Sequence, residues 1–397
     1  MTSSGGWPAL DYEDQEWRPT PAFGAPAGGL ARRQRYRSAI PPFIATVPLD
    51  IDPESVNAAV KAGAELSRLD AELGPLMLNY GPILLRSEAA SSSQIENLTA
   101  SARSIFSAEA GLKTGRNAQM IAANTRAMQA AVRLSGQIDP QSILDMHSAL
   151  MQDQPSQTPG VFREEAVWSG TRWDSPLGAE FVAPHHQRIP ALIEDLVQFA
   201  GRQESAPLVA VALAHAQFET IHPFTDGNGR TGRALAQAML RNHGVLRNVA
   251  IPVSAGLLAD VSGYHHALGE YRSGRPEPII DAFSEASTRA IANTRQMLGE
   301  LIALRESWNA RLTARRDAGV WALLDVAIRQ PVFSAATAAE EVGVQVSNVY
   351  RLLDALVKAD ILQSKHEHRA GPVWRADEVL QILDRFAERA GRRAVPL

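Results

Sequence analysis

Apolar residues recur along most of this chain at the spacing of three and four that turns one face of a helix inward. Asp52-Pro53 reads as an N-cap followed by proline at the first helical position, and predicts a helix from Pro53 to Leu73. The same pattern predicts helices over Ser87–Ala110, Arg116–Leu134 and, opened by Asp139-Pro140, to about Met151. It fails between Gly160 and Ala183. There Val161-Phe162-Arg163, Val167-Trp168 and Phe181-Val182 look extended around a turn-rich Gly170–Gly178 stretch, which predicts a hairpin or flap. Helices resume over Ile189–Ala200 and Pro207–Ile221, a further one carries Arg230 and Arg233 in its first turn and continues past Arg233 to about Asn242, and others lie near Gly263–Tyr271 and Pro278–Glu306.

The two ends depart from this pattern. Residues 1–48 are rich in Gly, Pro and Trp, with basic residues at Arg32, Arg33, Arg35 and Arg37. They read as a tail laid over the fold, with Trp7, Trp17, Phe23, Tyr36 and Phe43 as anchors. Toward the other end, Thr337–Val344 followed by Ser347–Leu353 reads as helix, glycine turn, helix, with Ser347 as N-cap. Lys365–Trp374 has the look of a two-stranded wing, so the region resembles a winged helix-turn-helix. The expected divisions are a tail (1–48), a helical region (49–125), a helical core (126–310) and this terminal module (311–397). The fold class is mainly α, with a β-hairpin flap.

Composition narrows the class without naming a function. At 397 residues the chain buries a large core. Zero cysteines exclude disulfides and thiolate metal sites and fit a reducing interior. The first twenty residues contain no apolar signal-like stretch, and no apolar run reaches a membrane span. A soluble cytoplasmic protein is expected. The net charge of −4 does not decide for or against nucleic acid. The terminal module carries Arg351 and Lys358 but also Asp354, where a DNA-reading helix usually shows a basic face. Docking to protein, including a second copy, is therefore favoured over DNA.

The chemistry concentrates in His222-Pro223-Phe224-Thr225-Asp226-Gly227-Asn228-Gly229-Arg230-Thr231-Gly232-Arg233. A glycine-rich turn opening a helix presents inward N–H groups and partial positive charge, a cradle for phosphate oxygens. Arg230 and Arg233 share one side of the first turns and can neutralise further phosphates. Asp226 can hold a divalent cation. His222 has the unperturbed pKa that suits a general base near neutral pH. A competing zinc reading uses His215, Glu219 and His222, spaced i, i+4, i+7, but leaves both arginines and the glycine turn unexplained.

This string resembles the signature loop of the Fic family, His-Pro-Phe-x-x-Gly-Asn-Gly-Arg-x-x-Arg, at every fixed position. The resemblance extends over roughly Leu66 to Arg305. It implies an all-helical core and transfer of AMP from Mg-ATP to a Ser, Thr or Tyr hydroxyl of a protein. It further implies His222 as base, Asp226 as magnesium ligand, and Gly227, Asn228 and Gly229 as the anion hole. Arg230 and Arg233 would meet the outer phosphates, Phe224 would anchor the loop, and Tyr264 would lie near the adenine. Ser92-Ser93-Gln94-Ile95-Glu96-Asn97 is similar to the family's inhibitory motif, Ser/Thr-x-x-x-Glu-Gly/Asn, with Ser92, Glu96 and Asn97 at the fixed positions. The resemblance extends to Pro159–Gly170 and implies a flap that aligns the target, where an exposed strand edge would pair with an extended target segment; a purely structural hairpin covering the core is the alternative. Two other readings stay open: a nucleotide-sensing DNA-binding regulator, and an enzyme that removes AMP, with Glu96 placing water.

Overall fold

In a computed structural model, residues 6–17, 34–154, 158–170, 174–203, 206–313, 315, 319–367 and 371–391 are described. Two strands come first, β1 (Asp11–Trp17) and β2 (Gln34–Ile40). Five helices follow: α1 (Pro53–Leu73), α2 (Met77–Ile95), α3 (Ala102–Glu109), α4 (Arg116–Leu134) and α5 (Pro140–Met151). Two short strands, β3 (Trp168–Ser169) and β4 (Phe181–Val182), precede α6 (Ile189–Ala200), α7 (Pro207–Ile221) and α8 (Asn228–Asn242). Next are α9 (Val253–Leu258), α10 (Val261–Arg272), α11 (Glu277–Arg311) and α12 (Val320–Arg329). The remainder is β5 (Val332–Ser334), α13 (Ala335–Val342), α14 (Val346–Lys358), β6 (Gln363–Glu367), β7 (Gly371–Arg375) and α15 (Asp377–Arg389). The fold is mainly helical, as expected, and none of the described helices is long and apolar enough to cross a membrane.

The chain divides into two compact units, each drawn from three stretches. The first comprises Met1–Lys61, Ala130–His243 and Ser262–Ser284. Its centre is α7, buried at every position from Leu208 to Ile221. A helix apolar all round is one surrounded by others, and α6 and α8 pack on it. Within the first 48 residues, the described stretches include two strands. β1 and β2 pair antiparallel, an acidic strand against a basic one, with Asp14 opposite Arg37 and Glu16 opposite Arg35. Arg188 holds Glu13 with two bonds, at 2.8 and 2.7 Å. Beyond β2, the N–H groups of Ile44 and Ala45 donate to the Asp195 carboxylate at 2.6 and 3.1 Å. Trp7 packs on Phe199 and Tyr271, and Trp17 on Tyr36 and Trp168. Phe43 anchors nothing, being 59% exposed. Phe23, Arg32 and Arg33 lie outside the described residues.

The second unit comprises Ala62–Gln129, Gly244–Val261 and Glu285–Leu397. Here the expected Ser87–Ala110 helix is two helices. The first starts ten residues early, running through Gly81 and Pro82. It ends at Ile95 with Glu96 as its cap, because Asn97 turns left-handed at φ 60°. Asparagine tolerates that region and commonly ends helices. α3 then restarts from Ser101, whose side chain accepts the Ser104 N–H at 3.3 Å. The buried Glu88 carboxylate fastens α2 by accepting the Ser254 N–H at 2.9 Å and hydroxyl at 2.5 Å. Gly256 of α9 meets the backbone of Ala286, where a Cβ would lie 1.9 Å from a carbonyl oxygen. Toward the end of the chain three strands form an antiparallel sheet in the order β5-β7-β6. α14 begins two residues earlier than Ser347 suggested, with Gln345 at the cap. Strand β5 and the helices α9, α12 and α15 had no sequence counterpart. α15 carries Asp384, which accepts the Ala102 N–H of α3 at 3.0 Å.

Candidate active site

The site candidate is the junction of α7 and α8, all of it in the first unit. α7 stops at His222, which adopts the left-handed conformation at φ 50°, ψ 60°. This takes its side chain off the helical face, so His215, Glu219 and His222 do not share one face as the zinc reading required. The His215 ring nitrogen Nε2 instead meets the Tyr264 hydroxyl at 2.7 Å, deep in the unit. Among the described residues, no three of His, Cys, Asp and Glu are grouped to hold a metal ion. The His222 Nδ1 lies 3.4 Å from the Glu219 carbonyl oxygen. A carbonyl only accepts, so this contact is satisfied with the proton on Nδ1, which in the neutral ring leaves the lone pair on Nε2. That is the tautomer a general base needs.

Between the helices, Pro223–Asp226 closes on itself. Asn228 clasps the Phe224 peptide from both sides: its Oδ1 accepts the Phe224 N–H at 2.9 Å and its Nδ2 donates to the Phe224 carbonyl at 2.8 Å. The Asn228 amide is thus spent on the loop, and what it can offer an anion is its backbone. Phe224 is fully buried, as an anchor should be. Its ring stacks on His147 of α5, centroids 3.7 Å apart and planes 4° from parallel. His147 is a residue the sequence reading missed. Its Nδ1 accepts the Gly160 N–H at 3.0 Å, so its Nε2 is the donor to the Asp226 carbonyl at 3.2 Å. Burial pushes its pKa down to about 4, with the bond to Asp226 opposing, and the ring is neutral at pH 7. A signal existed: His147 falls on the apolar face of α5 beside Ile143, Met146 and Leu150, where a histidine needs partners.

α8 begins in an unusual way. Gly227, at φ 78°, is its N-cap and provides no side-chain oxygen. A Cβ there would fall 2.3 Å from the Met151 Cε and 3.0 Å from the Leu150 Cδ2. The first turn contains no acidic residue, although a helix N-terminus favours negative charge. It contains Arg230, and Arg233 follows one turn on, both 2% exposed. Amides at the start of a helix have no intrahelical acceptor. The N–H groups of Asn228 and Gly229 therefore add to the same positive end, an arrangement made for an anion. Asp226, with its side chain 43% exposed, stands at the rim. Its Oδ1 accepts the Gly227 N–H at 2.6 Å and an Arg230 N–H at 3.2 Å. Further along, Gly232 gives α8 its approach to α7, since a Cβ would fall 2.9 Å from both the Glu219 Oε1 and the Phe218 Cδ1.

The segment before β3 is not a strand at Val161–Arg163; β3 and β4 pair only through Trp168↔Val182 and Ser169↔Phe181. Residues 171–173 of the turn lie outside the described residues. Arg163 is 4% exposed and bonded to main-chain carbonyls around the loop. Burial lowers its pKa to about 10, which leaves it charged at neutral pH. Tyr264, from α10, has its hydroxyl on His215 and is 3% exposed. Ser92, Glu96 and Asn97 belong to the second unit. Ser92 is fully buried, Glu96 is the exposed C-cap of α2, and Asn97 follows it. Asn124 ties this end of α2 down, its Nδ2 donating to the Ala89 carbonyl at 2.8 Å and the Ser93 hydroxyl at 3.1 Å.

A sequence model of the Fic/DOC family matches residues 137–240, which include the whole junction. A Fido domain-containing protein of Dictyostelium discoideum is 35% identical over 119 residues, covering 29% of this chain and 76% of that protein. A probable protein adenylyltransferase of Aquifex aeolicus is 42% identical over 74 residues, covering 18% of this chain and 23% of that protein. The crystal structure of a Fic family protein from Desulfovibrio desulfuricans shares the fold, with a TM-score of 0.53 at 21% identity over 83% of this chain and 97% of that one.

Proposed function

Since this chain belongs to the Fic/DOC family, we propose that it is a protein adenylyltransferase, moving AMP from ATP to a hydroxyl side chain of a target protein. The observation that carries this reading is the α7–α8 junction. There a histidine with its Nδ1 on a main-chain carbonyl precedes, by a short clasped loop, a helix start with no side-chain cap and two buried arginines. In this reading the His222 Nε2 takes the proton of a Ser, Thr or Tyr hydroxyl. The oxygen bonds to the α-phosphorus, the bond from that phosphorus to the β-phosphate bridging oxygen breaks, and pyrophosphate leaves. The backbone N–H groups of Asn228 and Gly229, following Gly227, bind phosphate oxygens, and Arg230 and Arg233 neutralise the outer phosphates. Tyr264 enters only through its ring, because its hydroxyl is bonded to His215.

The donor set suits magnesium. Asp226 is a half-exposed carboxylate at the rim of a phosphate cradle, and magnesium is commonly held by one or two carboxylates together with substrate phosphates and water. When bound, the ion would supply positive charge that neutralises phosphate oxygens.

The Ser92–Asn97 match carries a second part of the proposal, that Glu96 is an inhibitory carboxylate competing with the γ-phosphate for Arg233. Residues 311–397 are read as a winged helix-turn-helix that docks protein. The exposed face of α14 mixes Val346, Tyr350, Arg351 and Asp354, which suits a protein surface better than a phosphate backbone.

Glu96→Gly protein incubated with α-labelled ATP and cell lysate, with mass spectrometry of labelled products, tests the whole. We expect labelling to rise about ten- to a hundredfold over wild type, the worth of one charge-assisted bond. A fall in labelling would favour AMP removal instead, since that chemistry needs the carboxylate.

A further inference from the structure

One side chain ties the flap to the histidine. The Arg163 N–H donates to the Pro223 carbonyl at 3.0 Å. Its guanidinium reaches four more main-chain carbonyls. Nε donates to His222 at 2.8 Å, and Nη1 to Glu165 at 2.8 Å. Nη2 donates to Pro184 at 2.7 Å and to Ile221 at 3.5 Å. Two of these carbonyls, Ile221 and His222, sit at the C-terminal end of α7, where a helix leaves acceptors unused and partial negative charge. The other two, Glu165 and Pro184, bracket the β3–β4 hairpin. Buried charge is costly unless its donors are satisfied, and a planar fork of five N–H groups is the one side chain able to serve so many acceptors at once.

The bond to the His222 carbonyl matters most. The left-handed region disfavours a residue with a Cβ, so tertiary contacts help to hold one there. The direction of the His222 carbonyl depends on its own ψ, and the Arg163 Nε is set against that oxygen. We propose that Arg163 is a positioning residue for His222. Its fork holds the histidine backbone left-handed, keeps Nδ1 on the Glu219 carbonyl and leaves the Nε2 lone pair aimed at the hydroxyl. It also hangs both ends of the flap on the same anchor, so that target and base are set from one point. The effect on rate rests on the adenylyl-transfer reading; the effect on the ring does not.

The test uses the full chain carrying Arg163→Gln or Arg163→Lys. In the Glu96→Gly background, automodification with α-labelled ATP gives the maximal rate, and calorimetry gives ATP affinity. The maximal rate should fall about a hundredfold in Arg163→Gln, the cost of a small misplacement. ATP affinity should stay within about twofold, because the residue acts on the reacting group and not on ground-state binding. Arg163→Lys keeps a point charge that can serve fewer carbonyls, and should lose less. Independently, nitrogen NMR of protein labelled in its ten histidines, with His222 identified by its loss in His222→Gln, reads the tautomer. Wild type should show a single Nδ1–H form, and both Arg163 variants a mixture. Unchanged His222 signals in the variants would overturn the proposal. So would equal losses in rate and ATP affinity, the mark of general damage. If Arg163→Gln does not fold, Arg163→Lys decides on the same readouts. If the Glu96→Gly protein transfers no AMP, the adenylyl-transfer reading falls, while the ring signals still decide the role of Arg163.

Discussion

Two helices of this protein end in the same backbone conformation for different reasons. α2 ends before Asn97 at φ 60°, and α7 ends at His222 at φ 50°. Asn97 is an ordinary helix stop: asparagine visits the left-handed region readily, and the Asn97 N–H simply closes a turn onto the Gln94 carbonyl at 2.9 Å. His222 has a buried arginine on its carbonyl, a backbone carbonyl under its ring and a clasped, stacked loop immediately after it. Positive φ therefore identifies neither residue as functional. What separates them is how much of the surrounding structure is spent on holding the conformation. At His222 that outlay sits beside a helix start with two buried arginines, where the chemistry is proposed; at Asn97 it is absent from the turn itself.

The comparison breaks most visibly on activity. His222→Gly should lower AMP transfer by about a hundred- to ten-thousandfold, the usual worth of a general base. ATP binding by calorimetry should survive, because the histidine meets the hydroxyl and not the phosphates. Transfer near the wild-type rate would remove His222 from the mechanism. A smaller effect is expected at the start of α8. Gly227→Ala should cost about 2 kcal/mol in chemical denaturation, from left-handed strain and the overlap with Met151 and Leu150. An unchanged midpoint would mean that the turn relaxes freely and that the cradle is not preformed. The smallest effect is the sharpest for the comparison. Glycine relieves strain where strain exists, so His222→Gly should raise stability by about 1 kcal/mol, and Asn97→Gly should change it by less than about 0.5 kcal/mol. Equal shifts would show that the two positions are held alike.

Local signals were read correctly wherever they were complete. α1, α4, α5, α6 and α7 start and stop at the residues the pattern indicated, because proline at the first position and an apolar stripe act within a few residues. The single helix expected over Ser87–Ala110 failed for a related reason. Gly81-Pro82 reads as a break but is carried inside α2, while Asn97 and Ser101 form a real stop and restart. The β1–β2 pair was invisible, since neither strand alternates cleanly between apolar and polar residues and their attraction is between an acidic and a basic strand.

The sequence by itself determined which side chains meet at the loop. His222, Asp226, Gly227, Arg230 and Arg233 lie within twelve residues, so their spacing alone puts a histidine, a carboxylate, a turn and two cations around one helix start. Only the tertiary structure decided what fixes that loop. His147 comes from 79 residues upstream to lie under Phe224 and bond to Asp226, and Arg163 from 59 residues upstream to bond to His222. Neither residue has a local pattern that announces its partners, because those partners are main-chain atoms and an aromatic face, available anywhere. Which of them a buried histidine or arginine meets is settled by how α5, α7 and the flap pack, and packing depends on residues distant in the chain.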